Sequence, residues 1–98
     1  MPYITQKKRD RLEPLIVKFK DLMRQEEISD GELNYLITRI CIYFGRWGGK
    51  SYTRLNMVAG VLTCVFAEYN RREVAPYEDK KKKDNGDVYQ NGGEKNNG

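Results

Sequence analysis

The clearest constraint on the fold is a helix start at Ser29, which forms an S-x-x-E capping box with Glu32. In this motif the serine hydroxyl accepts a hydrogen bond from the third backbone N–H of the helix, and the glutamate accepts one from the serine's own N–H. Apolar residues then recur at alternating spacings of three and one as far as Phe44, and Gly45 follows as a stop signal. The pattern predicts an amphipathic helix over residues 30–44.

A first helix is predicted over residues 5–25, where Thr5 is a suitable N-cap and apolar residues follow the i, i+3, i+4 pattern. Pro14 interrupts this segment, because an interior proline lacks a backbone donor and clashes with the preceding turn. Two alternatives follow. Either one helix kinks near Leu12, or a short turn leads into a helix that starts near Glu13 with the proline in its first turn.

A third helix is predicted over residues 52–74, with Ser51 or Thr53 as its cap and Pro76 as its stop. Its apolar side chains cover more of the circumference than a one-sided stripe does, so the helix is either central in its domain or shared with another subunit. The sequence therefore predicts a homo-oligomer, most simply a dimer through this helix. The predicted interface residues are Leu55, Val58, Leu62, Val65 and Tyr69.

The composition changes after Pro76, where a lysine run is followed by an Asn- and Gly-rich end. Such a segment cannot bury enough apolar area to offset the entropy of ordering it. The predicted fold class is therefore all-α, with a three-helix domain over 1–76, an extended arm over 77–89 and a disordered tail over 90–98. The side chains expected to anchor the arm on the body or on a neighbouring subunit are Tyr77, Val88 and Tyr89.

The composition also excludes several kinds of chemistry. The chain has no histidine, so Ser-His-Asp catalysis, Cys-His catalysis and histidine-ligated metal sites are excluded. Cys41 and Cys64 are too few for a zinc site or a disulfide framework, and both lie on apolar stripes. We therefore expect a binding protein without cofactor or metal, and not an enzyme. No segment has the apolar length of a membrane span or the pattern of a secretory signal, which favours a cytoplasmic protein with no membrane partner.

A glycine-rich basic loop from Gly45 to Ser51 joins the second and third predicted helices. It is not a Walker A motif, because its spacing is one residue short and a helix precedes it. Two alternatives remain: a plain connection with Trp47 as a lid on the core, or an anion site where backbone N–H groups and basic side chains converge at a helix N-terminus. The predicted ligand-binding residues are Arg46, Trp47, Lys50, Ser51, Arg71, Arg72 and Tyr77.

Four strings along the chain are distinctive: MPYIT at the start, followed by GELNY, VAPYED and NGDVY. Over about residues 1–89 they resemble a family of small, functionally uncharacterised proteins of bacteriophages, prophages and bacteria. The resemblance implies a phage or mobile-element origin. It carries over no catalytic residue.

Two function classes fit these observations. The first is a non-enzymatic protein that sequesters a small anionic ligand, with a nucleotide-derived host immune signal as the leading choice. Basic side chains would neutralise its phosphates, while Trp47 or Tyr77 stacks on a base.

The second class is an adaptor that binds a host protein, or less favourably nucleic acid, through the third helix or the basic arm. The net charge of +4 is divided equally between residues 1–79 and 80–98, which is too diffuse for a nucleic-acid footprint. A structural or assembly protein of the particle is a minor third class.

Overall fold

The computed structural model describes residues 2–89. Within that range the chain is all-α, as predicted, and contains no strand. Its helices are α1 (Gln6–Glu26), α2 (Asp30–Arg46), α3 (Tyr52–Tyr69) and α4 (Ala75–Asn85), with a π-helical turn, Asn70–Val74, between α3 and α4. The chain divides into two compact units, Met1–Thr63 and Cys64–Gly98. The tail predicted over 90–98 lies outside the described residues.

Helix α1 begins as predicted, because the Oγ1 atom of Thr5 accepts a hydrogen bond from the backbone N–H of Lys8 at 3.4 Å. Of the two alternatives for its course, the structure has a single helix that contains Pro14. The proline removes one backbone donor from the ladder, and the helix continues beyond it. It ends where Glu27 adopts a left-handed conformation, with φ 51° and ψ 56°. An L-residue pays for this conformation in steric strain, which glycine avoids.

The capping box that predicted α2 is present in full. The Ser29 hydroxyl accepts from the backbone N–H of Glu32 at 3.2 Å, and Oε1 of Glu32 accepts from the backbone N–H of Ser29 at 2.9 Å. The backbone and side-chain hydrogen bonds from Ser29 to the ionised carboxylate hold the pKa of Glu32 below its ordinary value. The N-terminus of α2 is therefore fixed by the residues that the sequence indicated.

The sequence predicted that Gly45 ends α2. In the structure the helix continues to Arg46. Gly45 is helical and buried, with side chains of α3 beside it. A Cβ atom at this position would lie 3.6 Å from the Leu55 side chain and 3.7 Å from that of Val58, which is ordinary van der Waals contact. The glycine that predicted a helix stop is therefore a packing position between two helices.

The turn between α2 and α3 depends on the next two glycines. Gly48 and Gly49 have φ angles of 78° and 110°, which side-chain-bearing residues rarely adopt. Of the two candidate caps for α3, the structure uses Ser51, whose hydroxyl accepts from the backbone N–H of Arg54 at 3.1 Å. The reversal of the chain thus follows from backbone conformation at the glycines and from a serine cap.

The prediction that Pro76 ends the third helix is wrong. The backbone N–H of Ala75 bonds to the carbonyl of Asn70, five residues back, and this wider turn precedes a new α-helix with the proline in its first turn. A π turn accommodates the missing donor and the ring of proline, because the carbonyls before it are displaced from their α-helical positions. The chain therefore stays helical through Asn85, and only residues 86–89 of the predicted extended arm are non-helical.

Apolar stripes formed as predicted, but their side chains remain in contact with solvent. Within residues 2–89, Gly45 alone is buried and no large apolar side chain is. The apolar side chains with the most cover are only half-buried: Phe19, Met23, Ile28, Leu36, Cys41 and Val58. Leu15, Ile40 and Val61 are 52%, 53% and 56% exposed. No helix in the described part of the chain is long and apolar enough to cross a membrane.

Candidate functional site

The predicted ligand-binding residues fall into two sets. Arg46, Trp47, Lys50 and Ser51 belong to the unit Met1–Thr63, at the turn between α2 and α3. Arg71, Arg72 and Tyr77 belong to the unit Cys64–Gly98.

A groove of about 490 Å³ lies between α2 and α3 beside the turn. Arg46 and Lys50 contribute to its lining, and no carboxylate does. The other lining residues are small or apolar: Ile37, Thr38, Cys41, Ile42, Gly45, Leu55, Val58, Ala59 and Leu62. The structure therefore brings two of the predicted cationic residues together on an apolar groove, which suits a ligand with an anionic end and a flat or apolar body.

The aromatic residues of the turn form a stacked pair. The rings of Tyr43 and Trp47 lie 6.4 Å apart between centroids, with 24° between their planes. Their side chains are 70% and 62% exposed. Trp47 is thus not a lid on a core, as one alternative had it, but half of an exposed aromatic surface.

Arg54 is the residue of this region whose role the sequence analysis missed. Its Nε donates to the carbonyl oxygen of Phe44 at 2.8 Å, and its guanidinium carbon lies 4.1 Å from the Phe44 ring centroid. The same carbon lies 5.6 Å from the ring centroid of Trp47. Arg54 therefore caps a carbonyl in the last turn of α2 and holds two aromatic rings by cation–π contact. The sequence feature that could have indicated this role of Arg54 is its position three residues after the capping serine, next to a turn with aromatic residues.

The main role of Ser51 in the structure is to cap α3. Its hydroxyl oxygen caps α3, which leaves its O–H group to donate to an anion. Ser51 is therefore a cap whose contribution to a ligand site is secondary.

In the unit Cys64–Gly98, the predicted basic residues have partners in the chain. Nε and Nη2 of Arg71 donate to the two carboxylate oxygens of Glu68 at 3.3 and 2.6 Å. The Nζ atom of Lys81 lies 5.6 Å from the ring centroid of Tyr77. A phosphate at Arg71 would have to replace a bidentate carboxylate, so this set is the weaker candidate for anion binding.

The side chains predicted to anchor the arm are largely exposed. Tyr77, Val88 and Tyr89 are 60%, 83% and 75% exposed. The backbone at Tyr89 is held by the Asp87 side chain, because the Tyr89 N–H donates to Oδ1 of Asp87 at 2.8 Å. Anchoring of this segment on a neighbouring subunit stays a prediction.

The predicted interface residues also fall into two sets, one that lines the groove and one that is exposed. Leu55, Val58 and Leu62 line the groove between α2 and α3 within one chain. Val65 and Tyr69 are 55% and 62% exposed.

Cys41 and Cys64 are free thiols, and no group of residues in the range 2–89 has the composition of a metal site.

The chain belongs to a family described as "Domain of unknown function (DUF6899)", whose model matches residues 1–88. This match confirms the resemblance to an uncharacterised family, and it spans nearly the whole length over which the four strings indicated it. No curated protein and no solved structure matches the chain.

Proposed function

We propose that this protein is a non-enzymatic binding protein that sequesters a small anionic ligand of the nucleotide class. In the form that the sequence resemblance favours, it is a phage-type protein in the host cytoplasm, and the ligand is a nucleotide-derived host immune signal. The observation that carries the proposal is the groove between α2 and α3, where Arg46 and Lys50 are the charged lining residues and all others are uncharged.

The chemistry of the groove matches a nucleotide in two respects. A guanidinium and an ammonium group on one lining provide the paired positive charge that a phosphate requires, and no lining carboxylate opposes it. The exposed stack of Tyr43 and Trp47 offers an aromatic surface at the same turn, on which a base can stack.

Sequestration, as distinct from catalysis, requires only that the ligand be held. The pKa of Glu32 is lowered by its hydrogen bonds with Ser29, so this shift belongs to the cap of α2 and does not indicate a catalytic group.

The single tryptophan allows a direct test, because Trp47 fluorescence reports on the turn. Purified protein is titrated separately with a cyclic dinucleotide, ATP, pyrophosphate and adenosine. The proposal predicts saturable quenching by the first two, weaker binding of pyrophosphate, and little binding of adenosine, which lacks the charge. Absence of saturable binding of every phosphate compound up to about 1 mM would overturn it.

Paired variants separate a local site from general charge. Arg46→Ala/Lys50→Ala removes one arginine and one lysine from the groove, and we expect at least about a tenfold loss of affinity. Lys20→Ala/Arg24→Ala removes the same two charges from α1 and should leave affinity within about twofold. Equal losses in both variants would contradict a site in the groove.

An adaptor function is the second candidate, and one observation favours it. Leu55, Met57 and Val61 of α3 are between 41% and 56% exposed, although residues 55–67 contain no charged side chain. A helix with this composition is typical of a surface that another protein covers.

A further inference from the structure

A small apolar hollow lies between α2 and α3 next to the groove of the predicted anion site, and Cys41 and Val58 line both. Its volume is about 150 Å³, and it is lined entirely by apolar atoms of Ile40, Cys41, Phe44, Val58 and Val61. Ile40 and Val61 are 53% and 56% exposed at its edge. We call this surface the hollow face.

We propose that a second copy of this chain covers the hollow face and inserts an apolar side chain into the hollow, forming a two-fold homodimer. This dimer does not require a ligand in the groove beside the turn, although the two surfaces meet at Cys41 and Val58.

The amount of uncovered apolar surface argues for a partner. Between residues 33 and 62, nine side chains of Leu, Ile, Val, Met and Phe are 39–56% exposed. Four of them line the neighbouring groove, so the area is that of the hollow face and the groove together: Ile37, Ile42, Leu55 and Leu62. At about 70 Å² each the nine side chains present on the order of 600 Å², taking half the area of a large apolar side chain. Each partner in a stable protein interface buries about 800 Å². Exposed surface of this extent is at the upper end of the apolar patches that soluble monomers carry, and it is about three quarters of one side of a standard interface.

The charge pattern favours a second copy as the occupant. Within residues 33–45 of α2 the one charged residue is Arg39, and residues 55–67 of α3 have none. The lining of the hollow has no charged residue, so no like charges oppose each other where it meets its own copy. Nucleic acid or an acidic peptide would require basic residues, which the lining of the hollow lacks.

Shape favours the same occupant. A two-fold interface requires one surface to carry both the projecting side chain and the cavity that receives it. The hollow face has both, since Ile40 and Val61 project beside a cavity sized for a branched aliphatic side chain. Residues 90–98 carry no apolar side chain, so this segment is not suited to fill the hollow.

The test is the mass of the full chain in solution, measured by light scattering between about 1 and 100 µM, together with its thermal midpoint over the same range. A dimer predicts twice the chain mass of 11.5 kDa and a midpoint that rises with protein concentration. A monomeric mass with a midpoint independent of concentration would overturn the proposal. A homogeneous dimer that survives the variants below would also overturn it, by placing the interface elsewhere.

Val61→Glu places a charge at the edge of the hollow, and Asn56→Glu places the same charge on the polar side of α3. We expect the first to shift the apparent dissociation constant at least about a hundredfold towards monomer, and the second to change it less than about threefold. If Val61→Glu is too unstable to purify, Val61→Ala serves with the same direction and a smaller shift. A complex with nucleic acid or lipid vesicles that is lost in Val61→Glu, while self-association is unchanged, would show that another partner covers this face.

Discussion

Arg54 donates from Nε to the carbonyl oxygen of Phe44 while its guanidinium lies 4.1 Å from the Phe44 ring centroid. One side chain from the first turn of α3 thus bonds the backbone of α2 and covers an aromatic ring on it. This contact links residues ten positions apart across the turn that holds the candidate anion site. The turn is therefore held by a side chain as well as by its glycines.

Replacing Arg54 should loosen the turn. Arg54→Ala removes a charge-assisted hydrogen bond and two cation–π contacts, and we expect the free energy of unfolding to fall by about 1–2 kcal/mol. Lysine keeps the charge but not the planar donor geometry, so Arg54→Lys should recover less than half of this loss. Urea unfolding followed by Trp47 fluorescence measures both. The matched control is Arg24→Ala, an exposed arginine paired only with Asp21, which should change stability by less than about 0.5 kcal/mol.

Glycine at position 27 should stabilise the protein. Glu27 adopts a φ of 51°, and glycine reaches this left-handed conformation without steric strain, so Glu27→Gly is expected to raise the free energy of unfolding by about 1 kcal/mol. The adjacent Glu26→Gly lies inside α1 and should lower it by about 0.5–1 kcal/mol. Thermal unfolding of the two variants gives opposite shifts if the left-handed cap is present; shifts of the same sign would contradict it.

Two glycines in open space should respond oppositely to alanine. No atom lies within 4 Å of a Cβ at either Gly48 or Gly60, so only backbone conformation distinguishes them. Gly60 is inside α3, and Gly60→Ala should stabilise by about 0.5–1 kcal/mol. Gly48 has a φ of 78°, and Gly48→Ala should destabilise by about 1 kcal/mol. Chemical denaturation of both variants checks the sign.

The capping box predicts a dependence of helix stability on pH. The folded-state pKa of Glu32 is lowered, so its contribution is present above the unfolded value of about 4.5 and is lost as the pH falls through the folded value. Circular dichroism between about pH 3 and pH 7 should show this loss. Glu32→Gln keeps an acceptor without a titratable group, and its helicity should depend less on pH over that range. A profile identical to that of the parent protein would exclude Glu32 as the titrating group.

The serine of the box gives an independent check at neutral pH. Ser29→Ala removes the side-chain acceptor for the N–H of Glu32, and we expect a loss of about 1 kcal/mol. Ser29→Asp restores an acceptor and should recover most of it. If alanine and aspartate behave alike in thermal unfolding, the cap has no energetic role.

The local determinants of the helices were accessible from the sequence. Thr5 and Ser29 cap through the hydrogen bonds that their positions indicated, because a cap involves residues only three apart. The two stop signals failed for a common reason. Neither glycine nor proline ends a helix in every context. Gly45 stays helical where α3 packs against it, and the helix continues past Pro76 because a π turn precedes the proline.

The candidate site was predictable in part. The basic and aromatic character of the loop identified Arg46, Lys50 and Trp47, and two of these line one groove. The partner of Arg54 was not predictable, because it is a backbone carbonyl ten residues away on another helix. The pairing of Arg71 with Glu68 has the i,i+3 spacing of an intrahelical ion pair, and the sequence analysis missed it. Which residues share a groove depends on how two helices approach at Gly45.

The π turn at Asn70–Val74 also limits which insertions and deletions this region of the gene tolerates. A π turn accommodates one residue more than the α-helical repeat, so each residue of α4 is rotated by about 100° relative to an uninterrupted helix. Deleting one codon in this turn would restore the α-helical repeat and rotate Tyr77 and its neighbours to another side. It would also place Pro76 within a regular α-helical ladder, where a proline is tolerated only at a cost in stability, as Pro14 is in α1. We therefore expect the deletion to be better tolerated when Pro76 is replaced as well.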